Sequence, residues 1–178
     1  MKHIIFVCHG NTCRSPMAEF ITLYLLKKEN LSQQIKVSSA GLLNQSKPIS
    51  EQTVKQLQKH NIPFKQRRSK QIFNTTVKFN TLLIALDHNV YNQLVKHYST
   101  NKLIKITTLS SFVQQYTEQS SCVERSSFTE TSSFTEHVEQ GSFTDIQNPM
   151  KTHNYNRCFQ QIYQCCEQLV LSLKKESE

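Results

Sequence analysis

Tryptophan is absent from this 178-residue chain, and glycine occurs only three times. Apolar residues make up 37%, below the usual share for a globular chain. A core is feasible, but some segment must be depleted in apolar residues to leave enough for the rest. Long hydrophobic runs are missing too. The stretch from Ile4 to Val7 is far too short for the apolar part of a signal peptide or for a membrane span. The expectation is a cytoplasmic protein with no membrane partner and with reduced cysteines. No run of five or more basic residues occurs, although the formal net charge is +8. The densest basic stretch is KQRRSK, residues 65 to 70. A basic surface with one anion-binding site fits this pattern better than a nucleic-acid interface.

Cysteine is present six times, at 8, 13, 122, 158, 165 and 166. In a reducing compartment such residues read as chemistry or metal ligands before they read as a disulfide framework. A metal site would need two more ligands beside Cys8 and Cys13, and His3 and His9 are too few and badly placed to supply them. No metal or other cofactor is expected.

The pattern along the chain alternates strands with helices. HIIFV (3–7) and TLLIAL (81–86) read as buried parallel strands, IKVSSAG (35–41) and KLIKI (102–106) as two more. A helix is predicted from Pro16 to about Lys28 with Ser15 as its N-cap. A second is predicted over 50–61, and a third follows Asp87 as cap through Tyr91, Leu94 and Val95. Tyr155, Phe159, Ile162, Cys166, Leu169, Val170 and Leu173 form the stripe of a long closing helix. Cys158, Cys165 and Cys166 ride on or beside it as small apolar filler. The fold class is α/β, with a four-stranded parallel sheet covered by helices on both faces. The whole chain, 1–178, reads as a single domain. Within it, 110–144 is a Ser/Thr/Glu-rich insertion, in which SSFTE occurs at 126 and 132 and GSFTD at 141; it reads as a surface loop.

VCHGNTCRSP (7–16) joins the end of the first strand to the first helix. Several backbone N–H groups can point into one concavity there, and the helix N-terminus adds positive potential. A divalent oxyanion is the natural guest, and the same field favours a thiolate at Cys8. Arg14 can offer a planar fork of donors to two phosphate oxygens. Gly10 permits unusual backbone conformations and close approach, and Asn11 can hold a left-handed conformation and hydrogen-bond within the loop.

VCHGNTCRSPMAE (7–19) resembles the signature of the low-molecular-weight protein tyrosine phosphatases. SSAG (38–41), RRSKQI (67–72), LIALD (83–87) and NPMKTHNYNRCFQQIYQCCEQL (148–169) resemble later landmarks of that family in the same order. The resemblance covers nearly all of the chain except 110–144. It implies a three-layer fold of Rossmann or flavodoxin-like topology, a phosphorylated protein as substrate and inorganic phosphate as product. It implies that Cys8 attacks phosphorus to form a cysteinyl-phosphate, which water then hydrolyses. Phosphate would be held by Arg14 and the loop N–H groups of His9, Gly10, Asn11, Thr12 and Cys13, and Ser15 would hydrogen-bond the thiolate. Cys13 resembles the family's second loop cysteine, which can trap oxidised Cys8 as a disulfide; a packed thiol is the other reading.

The pattern departs from the family at one position that matters. Asn148-Pro149-Met150 stands where the family has Asp-Pro followed by an aromatic residue, so the general acid is missing and the aromatic wall with it. Asn80 also stands where the family more often has Asp. Three consequences are open: a slow phosphatase, Asp145 as a substitute acid, or a phosphate-binding protein without turnover. Thr12 within GNTCRSP resembles the branch acting on phosphoarginine. An arsenate reductase on the same scaffold would need a cysteine relay, for which Cys122 lacks a partner at short spacing.

Overall fold

A computed structural model describes residues 2–43, 46–74, 77, 80–98, 101, 104–123 and 145–176. Strands β1 (Lys2–Cys8), β2 (Ile35–Gly41), β3 (Thr81–Ala85) and β4 (Ile104–Thr108) pair in parallel in the order β2-β1-β3-β4. Between and after them run α1 (Arg14–Lys28), α2 (Glu51–Lys59), α3 (His88–Tyr98), α4 (Leu109–Val123), α5 (Pro149–Thr152) and α6 (Tyr155–Lys175).

The central strands read as unbroken apolar runs because both sheet faces are covered. Ile4, Phe6 and Cys8 of β1 face a larger cluster with Met17 and Ile21 of α1 and Phe159, Ile162 and Leu169 of α6. Ile5 and Val7 face a smaller cluster with Val90 and Leu94 of α3. The architecture is therefore three-layered. Each fully buried aliphatic side chain in it contributes roughly 1.5–3 kcal/mol. Chain order reverses around β1, whose neighbours β2 and β3 are entered on opposite sides. In open parallel sheets a ligand crevice forms at the carboxyl ends of the strands at such a point.

Three expectations change. Helix α1 begins at Arg14 with Cys13 as its N-cap residue, and no side chain caps it. Ser15 lies inside the first turn with its hydroxyl turned to Cys8 instead. Strand β4 runs on to Thr108, two residues beyond the end of KLIKI, whose first two residues lie outside the described ones. The stretch from 110 is no surface loop at its start. Helix α4 occupies Leu109–Val123, with Leu109 and Val113 fully buried one turn apart. Its first turn is held by the Thr108 hydroxyl, which accepts from the Ser111 N–H at 3.0 Å. The polar composition of this segment hid that short apolar face. The SFTE repeats lie outside the described residues. Among the described residues, no helix is long and apolar enough to cross a membrane.

Candidate active site

The parallel register places Cys8 beside Gly41, so the loop leaving β1 packs on the end of β2. The Leu42 N–H donates to the Cys8 carbonyl at 3.1 Å and the Leu43 N–H to that of His9 at 3.0 Å. A Cβ on Gly41 would stand 2.8 Å from the Asn11 nitrogen and 2.9 Å from the Gly10 carbonyl carbon. Glycine is required here by close approach. The left-handed turn of the loop falls on Asn11, φ 51°, and not on Gly10.

The Cys8 thiol accepts from the Asn11 N–H at 3.3 Å and lies 3.0 Å from the Ser15 hydroxyl. Ser15 also receives a hydrogen bond from Asn11 Nδ2 at 2.9 Å and has the Ala40 carbonyl at 3.1 Å. Its one proton can serve either the carbonyl or the sulfur. A thiolate would draw it, because hydrogen bonds to a charged acceptor are about twice as strong.

Asn11 is fully buried and its amide is saturated. Nδ2 also donates to Ser39 Oγ at 2.8 Å, while Oδ1 accepts from Arg67 Nη1 and the Lys70 N–H, each at 3.0 Å. Arg67 Nη2 reaches Ser39 Oγ at 2.6 Å and Glu19 Oε2 at 2.5 Å. The loop conformation is thus fixed by a network of buried and half-buried polar groups drawn from α1, β2 and the segment before β3.

Arg14 is buried, and its Nη1 donates to Asp87 Oδ2 at 2.6 Å and to the Ile146 carbonyl at 2.8 Å. The other oxygen of Asp87 caps α3 by accepting from the Val90 N–H at 2.8 Å. One carboxylate therefore ties the arginine to the start of α3. A cavity of about 850 Å³ opens in front of it, lined by His9, Arg14, Asp87, Asp145, Asn148 and Lys151 among others.

Asn148 borders this cavity as the N-cap of α5, its side-chain oxygen accepting from the Met150 N–H at 3.2 Å. Met150 is 56% exposed and does not line the cavity. Asp145 borders it as well, but both its oxygens are taken by His88: the backbone N–H at 3.0 Å and Nδ1 at 2.6 Å.

Of the other residues singled out in the sequence, Thr12 and Cys13 belong to the loop itself and the rest lie elsewhere. Thr12 is half-buried, with its carbonyl accepting from the Ser50 N–H at 2.9 Å. Cys13 is turned into the core. Burial pushes its thiol up from 9.0 to about 11, against a smaller opposing hydrogen bond from Thr53. Cys158 and Cys165 are buried on α6 and pushed up to about 12, and burial raises Cys166 further. Asn80 sits in a left-handed turn at the other end of β3, its carbonyl accepting from the His3 N–H. The side chain of Cys122 lies outside the described residues.

Sequence reasoning missed the grip of Asp87 on Arg14, and Ser39, Arg67, Glu19 and Gly41 as supports of the loop. The signals were there in SSAG and RRSKQI, but neither string states what its side chains touch.

Comparison with known proteins agrees with this geometry. The family model of the low molecular weight phosphotyrosine protein phosphatases matches residues 3–126. The low molecular weight protein-tyrosine-phosphatase PtpA of Staphylococcus aureus is 31% identical over 182 aligned positions, covering 99% of this chain and 97% of its own. The corresponding phosphatase YfkJ of Bacillus subtilis is 28% identical, covering 100% and 99%. The crystal structure of YfkJ superposes with a TM-score of 0.74 over 100% of this chain and 98% of that one. A Drosophila arginine phosphatase shares the fold at a TM-score of 0.71 and 23% identity, covering 98% of this chain and 98% of its own. With a matched model spanning the strand, loop and helix that build the site, the chain belongs to the low molecular weight phosphotyrosine protein phosphatase family.

Proposed function

We propose that this chain hydrolyses phosphotyrosine-type monoesters on proteins through a cysteinyl-phosphate on Cys8, slowly and with strong dependence on the leaving group. The observation that carries this reading is the position of the Cys8 sulfur. It has donors from Asn11 and Ser15 on one side and shares its loop with a buried, oriented Arg14. In the first step the sulfur lone pair forms the S–P bond. The P–O bond to the leaving group breaks, and its electron pair goes to the departing oxygen. Arg14 and the N–H groups of His9 to Cys13 balance the charge on the equatorial oxygens. Water then attacks phosphorus, the P–S bond breaks, and the thiolate and inorganic phosphate are restored. The second step frees the same thiolate that Ser15 stabilises.

The departing oxygen needs a proton, and the amide of Asn148 is far too weak an acid to give one. Losing a general acid typically costs about 10²–10⁴-fold. Asp145 is the carboxylate of the cavity that Arg14 does not hold, and it would have to leave His88 to act. The same shortage bears on phosphoarginine, whose departing guanidine nitrogen must also be protonated. Thr12, half-buried in the loop with a small polar side chain, is the residue that favours that reading. A cysteine relay for arsenate is disfavoured by the burial that keeps Cys158, Cys165 and Cys166 protonated. A thiolate nucleophile suits a reducing compartment, so the cytoplasm is the proposed location.

The test is turnover of a series of aryl phosphates of rising leaving-group pKa, with Cys8→Ser beside it. The expected result is measurable hydrolysis of activated esters, a steep fall along the series, and no activity in Cys8→Ser. Phosphate binding without hydrolysis of any ester would replace the enzyme with a binding module.

A further inference from the structure

The cavity in front of Arg14 does not end at the phosphate loop. Asn92 and Gln93 of α3 line it, and they also line a second groove of about 620 Å³, whose other residues are Phe73, Lys96 and His97. The two concavities meet on one exposed helix face. Asn89, Asn92, Gln93 and Lys96 recur at helical spacing along it and are all exposed, while Val90 and Leu94 are buried on the opposite side. The face starts at the substrate end, because α3 is capped by the same Asp87 that holds Arg14.

Its chemistry is specific. No acidic residue occurs in α3. Lys96 makes no ion pair among the described residues. At the far end the rings of Phe73 and His97 are 4.2 Å apart and form an aromatic floor. The exposed amides of Asn92 and Gln93 carry both donors and acceptors, which suits the backbone of an extended peptide. At a rise of about 1.5 Å per residue, Lys96 stands roughly 10 Å along the helix from Asn89 at the mouth of the site. An extended peptide covers that span in about three residues.

We propose that the α3 face is a subsite for the substrate polypeptide, selecting an acidic residue three to four positions from the phosphorylated residue. Asn92 and Gln93 hold the peptide backbone, and Lys96 meets the carboxylate above the Phe73–His97 floor. The proposal rests on the reading of the loop as a phosphatase site and names the sequence class that site selects. The Lys96 contribution is that of an exposed ion pair, about 1.5- to fivefold in kcat/KM, and it weakens as salt is raised.

The experiment scans Glu and Lys through the five positions on each side of phosphotyrosine in a peptide, with an aryl phosphate measured in parallel. A Glu preference of about 1.5- to fivefold at three to four residues on one side is expected. It should be lost or reversed toward Lys in Lys96→Glu, while aryl phosphate turnover stays unchanged in that variant. Aryl phosphate turnover with a flat scan, or a preference that survives Lys96→Glu, overturns the subsite and leaves the phosphatase standing. If no aryl phosphate is hydrolysed, the phosphatase reading fails first. Affinities of the same peptides for Cys8→Ser and for Cys8→Ser with Lys96→Glu then decide the subsite by the same criterion.

Discussion

Asp145 and His88 form a closed pair at the rim of the cavity, with Oδ1 at 2.6 Å from Nδ1 and Oδ2 accepting from the His88 backbone at 3.0 Å. The contact holds the segment after the SFTE repeats against the first turn of α3. It also occupies the carboxylate that stands nearest in sequence to the missing acid. Both partners are substantially exposed, so the contact adds little stability by itself.

Removing Asp145 is therefore expected to change the rate for activated aryl phosphates by less than about threefold. Asn148→Asp should raise the rate for phenyl-type leaving groups by about 10²-fold or more. It should leave activated esters nearly unchanged. The replacement keeps an oxygen that can accept from the Met150 N–H, so α5 retains its cap. A comparison of leaving-group slopes for the parent and both variants checks this. A collapse in Asp145→Ala that steepens the slope would make Asp145 the acid.

Asp87 serves Arg14 and the α3 cap at once. In Asp87→Asn, one oxygen can still cap α3 while the amide nitrogen faces the guanidinium, donor against donor. Hydrogen bonds to charged groups are worth about 1.5–3 kcal/mol. The expected outcome is a loss of about tenfold or more in phosphate affinity, read by calorimetry, with helical content retained. Asp87→Ala should add the loss of the cap, about 1 kcal/mol, read as a lower thermal midpoint.

Much of this was legible in the sequence for a physical reason. HIIFV and TLLIAL are buried on both faces, so their apolar runs needed no alternation to be recognised as strands. Asp87 sits where a cap should sit and does cap, while Ser50, read as the first residue of the second helix, is its cap. The nucleophile, its serine and its arginine stand within one loop, so local spacing sufficed to group them. What escaped notice depends on contacts distant in sequence. Ser39 and Arg67 support Asn11 from two other segments, and Gly41 matters only because the parallel register lays it under Gly10 and Asn11. Helix α4 was missed because its described apolar contacts sit among Ser, Gln and Thr.

Gly41→Ala tests that register directly. The added carbon would meet backbone atoms at 2.8 and 2.9 Å, which have no rotamer in which to escape. The phosphate loop must move, and a displacement of about 1 Å at a reacting group can cost about 10²-fold. Overpacking typically costs about 1–3 kcal/mol, so the fold should survive with reduced stability. The check is a fall of about 10²-fold in kcat/KM for aryl phosphates alongside an unchanged far-ultraviolet circular dichroism spectrum.

The buried thiols set how stability depends on alkaline pH. Burial raises Cys13 to about 11 and Cys158 and Cys165 to about 12, from 9.0 when unfolded. Their folded-state values lie above the unfolded one, so the unfolded chain releases these protons first as pH rises. The unfolded state then binds fewer protons than the native state, and stability must fall with pH across that window. The stabilisation is fully present below about pH 9 and is lost progressively toward pH 11 and 12. Chemical denaturation midpoints should therefore hold from pH 7 to 8.5 and decline steadily from pH 9 to 10.5. Cys165→Ala should flatten that decline, although the smaller side chain lowers the midpoint at neutral pH through lost packing. An equally steep decline in the variant would assign the alkaline loss to groups other than Cys165.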